Sequence, residues 1–261
     1  AFVAVALAYA AWRVWRWLGQ DLIGPHSETP RVVVDIRDEE RLRELSGHRK
    51  FDYAAEWGKK ASIVPCWDPS TMEFLGEMRA STPEDVNAMA ARARTAQKAW
   101  AQSSFAHRRQ LLRTIQRYIL ENSETICTVA CRESGKTMID AMVGELTVTL
   151  EKLRWTALYG EEYLLPEYRD SGLMNMHKSS RVEWSPVGVV GAIVPWNYPF
   201  HNVFNPVIAA LFSGNAIIIK VSEYAAWSTQ YYGRVLHGCL AAVGAPKDLV
   251  QFAVGYSDAG A

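Results

Sequence analysis

The stretch GVVGAIVPWNYP, residues 188–199, joins a continuous apolar strand to a turn that two prolines hold in place. Two further apolar strands follow at residues 215–220 (NAIIIK) and 248–255 (DLVQFAVG), and helical segments at residues 205–214 and 222–244 separate the strands. Fully apolar strands that alternate with helices predict βαβ units and a parallel sheet covered on both faces. The sequence therefore predicts an α/β fold.

The residues before this sheet predict a hairpin followed by helices. The runs SIVPCW (62–67) and EFLGEM (73–78) have strand composition, and the DPSTM turn between them indicates a hairpin. The other patterned segments are helices at residues 81–100, 103–135 and 137–164, and strands within residues 173–184.

Charge and cysteine content disfavour two kinds of partner. The 28 basic and 28 acidic residues cancel, whereas nucleic-acid binding needs a basic surplus on one face. Four cysteines in 261 residues are too few for a disulfide scaffold. Cys127 and Cys131 would share one helix face, but a zinc site needs two further ligands, and none is near. We therefore predict no metal site and interpret both thiols as small core residues.

The common phosphate-binding motifs are absent from the sequence. Gly135-Lys136-Thr137 resembles the end of a phosphate loop, but Ala130 occupies the position where that loop needs glycine. Gly188 and Gly191 do not have the spacing of the G-x-G-x-x-G fingerprint. A dinucleotide bound by this sheet would therefore not have its pyrophosphate held in the usual Rossmann manner.

Two charged residues follow the second apolar strand. At the end of such a strand a carboxylate can accept the ribose hydroxyls of an adenine nucleotide, and Glu223 lies just beyond it. Lys220 can donate to the same ribose, and Ser222 lies between the two in this predicted cofactor site. The alternative is a charged pair at a helix start, where Ser222 caps the helix and Glu223 interacts favourably with its dipole.

Asn197 follows the first apolar strand, within the turn between two prolines. In open α/β sheets ligands bind at the carboxyl ends of the strands. The amide of Asn197 could there donate to a developing oxyanion. The alternative is a turn asparagine whose side chain bonds to its own backbone, which is the commoner use of this residue.

Taken together, the motifs VGVVGAIVPWNYPF, AALFSGNAIIIKVSE and AAVGAPKDLVQFAVGYSDAG resemble the aldehyde dehydrogenase superfamily. AQKAW, ESGK (133–136) and Glu145 also fall in the expected order, so the resemblance runs from residue 61 to the end. It implies an aldehyde dehydrogenase-like α/β fold: N-terminal helices, oligomerisation strands within residues 173–184, and an incomplete Rossmann-like cofactor-binding domain with a parallel sheet. The apolar start and linker are most similar to the membrane-anchored family-22 branch, of which this chain would be the N-terminal portion.

The resemblance also implies a reaction and residue roles. Enzymes of this family use NAD or NADP to oxidise an aldehyde to a carboxylic acid through a cysteine thiolate. Asn197 matches the asparagine that helps to hold the thiohemiacetal oxyanion. The residues that match cofactor contacts are Ile193, Val194, Pro195 and Trp196 beside the nicotinamide, Lys220 and Glu223 at the adenine ribose, and Gly255 and Gly260 near the adenine.

Two departures from the family pattern bear on these roles. Val221 stands where proline is common after the lysine, which leaves both ribose groups in place. No cysteine of the chain stands in a glycine-rich nucleophile context, and the resemblance places the catalytic cysteine and the general-base glutamate beyond Ala261. We therefore expect the chain alone to be inactive. The alternative is a non-catalytic, membrane-tethered scaffold or nucleotide-binding remnant.

Glu223 favours NAD as the cofactor, because a carboxylate repels the 2′-phosphate of NADP.

The N-terminal residues predict a membrane anchor. Residues 1–12 are uncharged and apolar, and Arg13 and Arg16 follow among tryptophans, which is typical of a cytoplasmic membrane edge. We expect an anchor remnant at residues 1–18, a linker at 19–60 and the enzyme domain at 61–261, tethered to an endomembrane and facing the cytoplasm. The alternatives to an anchor at these residues are a signal peptide and a buried helix at the start of a soluble, cytoplasmic protein. The expected partners are an aldehyde, the membrane and further copies of the chain.

Overall fold

The structure, a computed structural model, describes residues 29–37 and 62–260, and its regular elements begin with an antiparallel hairpin. Strand β1 (Ile63–Trp67) pairs with β2 (Phe74–Arg79), and a register shift lies between Cys66 and Trp67. The hairpin predicted from composition and turn residues is confirmed.

Five helices follow the hairpin: α1 (Pro83–Trp100), α2 (Phe105–Glu121), α3 (Ser123–Ser134), α4 (Met138–Ala141) and α5 (Val148–Tyr159). Thr82 begins α1 with a capping box, in which its hydroxyl accepts from the Asp85 amide and the Asp85 carboxylate accepts from the Thr82 amide. Gly135 ends α3 in the left-handed conformation, with φ of 72°.

The single helix predicted over residues 137–164 is interrupted. A π-helical segment, Met142–Thr147, separates α4 from α5, and α5 ends at Tyr159. Gly144 lies in this segment, where a Cβ atom would come within 2.7 Å of the Tyr198 ring. The irregular turn therefore brings the backbone close to the turn that follows the first parallel strand, as π-bulges often do at functional sites.

The strands expected within residues 173–184 form only in part. β3 (Glu167–Arg169) pairs with β4 (Ser180–Val182) in an exposed two-stranded ribbon, while Leu173–Asn175 forms a 3₁₀ turn between them. Gly172 has φ of 72° and begins that turn, which explains why the chain cannot continue as a strand there.

The predicted parallel sheet is confirmed. β5 (Val189–Val194), β6 (Ala216–Val221) and β7 (Val250–Ala253) are hydrogen-bonded in that order, and α6 (Pro199–Phe212) and α7 (Ala226–Ala242) connect them. The helix α6 begins earlier than the predicted residue 205. Pro199 lies in its first turn, where a missing amide hydrogen costs nothing.

RVVVDI, residues 31–36, has the composition of a short strand, but residues 31–37 form none. They instead cross helices α2 and α7, where Val32 is buried and contacts the position of Gly238. The described residues from Arg31 onward form one compact unit.

The predicted anchor, residues 1–18, lies outside the described residues, as does most of the predicted linker at residues 19–60. Over residues 29–37 and 62–260, no helix combines the length and the hydropathy that crossing a bilayer requires.

A buried arginine joins the ends of two helices. Arg108 donates from Nη2 to the carbonyl of Ala101 (2.9 Å), just after α1, and from Nη1 to the carbonyl of Phe212 (3.2 Å), at the end of α6. Its Nε donates to the hydroxyl of Ser103 at 3.0 Å. A cation is favourable at a helix C-terminus, so this side chain fixes α1, α2 and α6 relative to one another.

We expect Arg108→Met to lower the free energy of unfolding by about 2–4 kcal/mol, because it removes the donors of several buried carbonyls. Urea unfolding measures this change. Arg94→Met is the matched control, since Arg94 is exposed on α1 and its loss should change stability by less than about 0.5 kcal/mol. Equal stability of the two variants would show that Arg108 does not join these helices.

Candidate functional site

The carboxyl edge of the parallel sheet carries aromatic side chains from two neighbouring connections. Trp196 follows β5 and Tyr224 follows β6, and their rings meet edge to face with centroids 6.4 Å apart. Both side chains are exposed by about half, at 51% and 50%. The two turns thus form one continuous surface at the edge where the sequence predicted ligand binding.

Asn197 presents an amide donor at this edge. Its Oδ1 accepts from Nδ2 of Asn202 at 3.2 Å, and the same nitrogen donates to the carbonyl of Pro195 at 3.2 Å. A carbonyl can only accept, which fixes the orientation of the Asn202 amide and makes the contacting atom of Asn197 its oxygen. The NH₂ group of exposed Asn197 consequently remains available as a donor, with no acceptor among the described residues.

A buried ion pair holds the Asn197 turn. Lys136 Nζ donates to Glu145 Oε1 at 2.6 Å and to the backbone carbonyl of Asn197 at 2.8 Å. The other oxygen of Glu145 accepts from the amides of Phe200 (2.6 Å) and His201 (3.2 Å), in the first turn of α6. Burial raises the pKa of the Glu145 carboxyl, while Lys136 and the two amides oppose that shift. The sequence placed Lys136 and Glu145 in the family pattern without predicting this role.

The residues predicted at the ribose lie together at the end of β6. Ser222 caps the 3₁₀ turn Glu223–Ala225 by accepting from the Tyr224 amide at 3.3 Å, and its hydroxyl donates to Glu223 Oε2 at 3.2 Å. The stem of Lys220 packs against Gly260, since a Cβ added there would lie 3.6 Å from Cε. Ser222 therefore has the local role of a cap, and the other carboxylate oxygen of Glu223 has no side-chain hydrogen bond within the described residues.

Gly255 lies just after β7 in a crowded position. Its φ of +144° favours glycine, and a Cβ would come within 2.9 Å of Ala259 and 3.4 Å of Ala80. The glycine is buried, and its lack of a side chain lets the backbone pack closely against Ala259 and Ala80.

A cleft of about 440 Å³ opens beside these turns. Trp196, Glu223, Tyr224 and Tyr256 line it from the sheet edge, and β1 and Glu133 line it from the opposite side. Its size falls in the range of small-molecule sites, and its aromatic walls with two acidic side chains, Glu133 and Glu223, suit a nucleotide. Of the predicted cofactor contacts only Trp196 and Glu223 line this cleft; Ile193, Val194, Pro195, Lys220, Ser222, Gly255 and Gly260 do not.

The sequence predictions missed two aromatic walls of the cleft. Tyr224 follows the predicted ribose ligand Glu223 directly, and Tyr256 follows Gly255. Their positions next to residues already singled out are the only signal in the sequence that could have identified them.

Buried glutamates occupy the N-termini of both helices that follow β5 and β6. Glu145 caps α6, and Glu133 accepts from the amides of Trp227 (2.7 Å) and Ser228 (3.2 Å) at the start of α7. Helix N-termini are the usual phosphate sites of dinucleotide-binding sheets. A phosphate at either helix start would find the amides already bonded to a glutamate side chain, which agrees with the absence of the glycine fingerprint from the sequence.

The four thiols of the chain are poor nucleophiles. Burial raises the pKa of Cys127 and Cys131 to about 11 and that of Cys239 to about 12, and it raises the pKa of Cys66 further still. The thiolate is the reactive form, so none of these cysteines is activated at neutral pH. No set of three potential metal-binding histidine, cysteine or carboxylate side chains gathers anywhere in residues 29–37 and 62–260.

Comparisons with known proteins identify relatives of this site and fold. The sequence profile of the aldehyde dehydrogenase family matches residues 57–261. An aldehyde dehydrogenase-like protein of Saccharomyces cerevisiae is 41% identical over 196 residues, which are 74% of this chain and 30% of that protein. One of Schizosaccharomyces pombe is 40% identical over 191 residues, which are 73% of this chain and 37% of that protein. The chain thus spans about a third of the length of these relatives.

Solved structures agree with the sequence comparisons. The NAD⁺ complex of an aldehyde dehydrogenase from Bacillus cereus superposes with a TM-score of 0.68 at 26% sequence identity. The superposition covers 76% of this chain and 39% of that structure.

We expect the stability of the protein to depend on pH through Glu133, which burial keeps protonated to an unusually high pH. Its pKa is raised from 4.5 to about 7, so between these values the folded protein holds a proton that the unfolded chain has lost. Stability therefore falls as the pH rises through this window, by about 3 kcal/mol from this group. Urea unfolding of wild type and Glu133→Gln between pH 4.5 and 8 measures the difference.

The glutamine variant should lack this part of the pH dependence, because it has no proton to lose. Glu77→Gln is the matched control, since Glu77 is exposed on β2, and it should retain the wild-type slope. Parallel profiles for wild type and Glu133→Gln would contradict the assignment.

Proposed function

Because this chain belongs to the aldehyde dehydrogenase family, we propose that the full-length protein oxidises an aldehyde to a carboxylic acid with NAD or NADP. The observation that carries the proposal is the free amide of Asn197, oriented by Asn202 at the carboxyl edge of the sheet. A donor fixed at this edge suits a reaction in which negative charge develops on the carbonyl oxygen of a substrate.

Asn197 acts by stabilising the oxyanion that forms when a thiolate adds to the aldehyde. Its NH₂ group is held before the substrate arrives, so little reorganisation opposes the reaction. Lys136 supports this geometry by bonding the carbonyl of Asn197, and Asn202 by bonding its side-chain oxygen. Lys136 and Asn202 are positioning residues, since neither needs to touch the substrate.

The cofactor is proposed to lie along the carboxyl edge of the sheet. Bound NAD or NADP supplies the acceptor for the hydride of the aldehyde. Trp196, with Ile193, Val194 and Pro195 before it, would flank the nicotinamide half; Lys220, Ser222 and Glu223 would hold the adenine ribose, with Gly255 and Gly260 beyond them. The Glu223 carboxylate favours NAD, because a 2′-phosphate would be repelled.

The nucleophile of the reaction is not among the four cysteines of this chain. Each has a raised pKa, and three are fully buried or nearly so. We therefore infer that residues 1–261 alone do not oxidise aldehydes and that the full-length protein supplies the thiolate from elsewhere.

We expect Asn197→Ala to lower kcat/KM of the full-length protein by about 100- to 1,000-fold, which is the usual cost of removing one oxyanion donor. NADH formation with a short aliphatic aldehyde measures this, and repeating the wild-type assay with NADP tests the cofactor preference. Asn202→Ala should cause a smaller loss with an unchanged KM for NAD, because Asn197 stays but loses its fixed orientation.

Asn87→Ala is the matched control, since Asn87 is exposed on α1, and it should behave as wild type. If Asn197→Ala also behaves as wild type, the amide is not the oxyanion donor. Aldehyde oxidation by purified residues 1–261 would refute the inference about the thiols. A full-length protein with no activity would favour the non-catalytic scaffold.

We also propose that residues 1–18 attach the protein to an endomembrane with the enzyme domain in the cytoplasm. The support is the sequence, in which Arg13 and Arg16 follow an uncharged apolar run. We expect wild-type protein to stay with membranes through an alkaline carbonate wash and a variant without residues 1–18 to be released. Protease should digest the enzyme domain in sealed vesicles. Release of the wild type by the wash would contradict the membrane attachment. Protection of its enzyme domain from the protease would contradict the cytoplasmic orientation.

Self-association of the full-length protein is a related proposal. The ribbon of β3 and β4 is exposed on both strands, and large apolar side chains surround it. They are Tyr168, Leu173, Met174, Met176 and Trp184. An exposed ribbon edge with large apolar side chains around it suits pairing with a second copy.

A further inference from the structure

One lysine that contacts α6 forms no ion pair with the residues that the structure describes. The ammonium group of Lys152, on α5, contacts the amide oxygen of Asn205, on α6. Among residues 29–37 and 62–260, no carboxylate forms an ion pair with it. The side chain is half-buried, and desolvation lowers the pKa of its amine. Removing a cation from water without pairing it is unfavourable, so this position suits an anion that the described residues do not supply.

A hydrogen-bond chain fixes the neighbours of this lysine. The amide oxygen of Asn205 accepts from Lys152, so its nitrogen is directed to Nε2 of His201, 3.5 Å away. Nε2 must then accept, which leaves the proton on Nδ1 to donate to the hydroxyl of Thr149 at 3.0 Å. Burial, and then the charge of Lys152, lower the pKa of His201, so the ring is neutral and cannot compete for an anion.

The lysine lies on the same side of α6 as the proposed oxyanion donor. Asn202 bonds the side chain of Asn197, and Asn205 follows it three residues later on the same helix face. The neighbouring residues of α6, Val203 and Phe204, are buried in the core. One helical turn and two hydrogen bonds link the Lys152 ammonium to the Asn197 amide, so the two groups lie within roughly 10 Å of each other.

We propose that Lys152, held by Asn205, binds the carboxylate of a substrate that carries an aldehyde at its other end. This inference rests on the proposed function, because it takes the aldehyde carbonyl to lie at Asn197. With one hydrogen bond of about 2.9 Å at each end, a span of roughly 10 Å leaves about 4 Å between the two substrate oxygens, which suits an acid-aldehyde of about three to four carbons. Lys152 is thus a specificity-determining residue, and its charge-assisted hydrogen bond discriminates against uncharged aldehydes of the same length.

The full-length protein provides the test, with succinic semialdehyde and butanal as probes of equal carbon number. The readout is the ratio of their kcat/KM values. We expect wild type to favour succinic semialdehyde and Lys152→Gln to lower the ratio by about 10- to 100-fold, mainly through KM. Lys152→Arg keeps the positive charge and should retain most of the preference. Lys98→Gln is the matched control for loss of one positive charge, since Lys98 is exposed on α1.

The outcomes separate this inference from the proposed function. If Lys152→Gln leaves the ratio unchanged, the inference is overturned. The same result is expected if a carboxylate elsewhere in the full-length protein pairs with Lys152, so that case is covered as well. If wild type oxidises neither aldehyde, the proposed function fails, and the inference is then tested by carboxylate binding, measured as a change in Tm. Succinate, but not its uncharged analogue succinamide, should then raise the Tm of wild type and not that of Lys152→Gln. Equal shifts in the two proteins would overturn it.

Discussion

Both oxygens of the Glu145 carboxylate are bonded within the protein, one to Lys136 and the other to the first amides of α6. Lys136 in turn bonds the carbonyl of Asn197 and lies 4.1 Å above the Tyr198 ring. One ion pair thus fixes the strand-to-helix turn from both sides. Breaking such a buried pair leaves an uncompensated charge, so the turn cannot relax without a large cost in free energy. The orientation of the Asn197 amide depends on this rigidity.

Buried ionisable side chains also close other helix ends of the fold. Glu133 occupies the N-terminus of α7, and Arg108 occupies the C-termini of α1 and α6. These side chains satisfy backbone groups that would otherwise be buried without partners. Glu145 and Glu133 also occupy the amides at the starts of α6 and α7, so these amides are not available to an anion at the sheet edge. The groups that remain at that edge are side chains, among them Asn197, Trp196, Glu223 and Tyr224.

Local sequence signals were sufficient to predict most of the helices and strands. Contacts between residues far apart in sequence explain the features that these signals missed. The apolar strands, the hairpin and the Asn197 turn were predicted because period, turn residues and prolines lie next to one another in sequence. The start of α6 was missed because its cap, Glu145, lies 55 residues before Phe200. The helix expected over residues 137–164 was divided because contact with Tyr198, rather than propensity, decides the conformation at Gly144. The cleft combines β1 with the sheet edge, a pairing that no pattern in the sequence records.

The π-helical segment Met142–Thr147 has one residue more per turn than the helices on either side of it. Loss of a single codon there would convert it to an ordinary α-helix. The helices on either side would keep their register, because the wide turn accommodates the extra residue without rotating its flanks. The Glu145 carboxylate lies inside the segment, so its position beside the first turn of α6 depends on this wide turn. A one-residue gap here in a relative would therefore mark the loss of the wide turn and a changed start of α6.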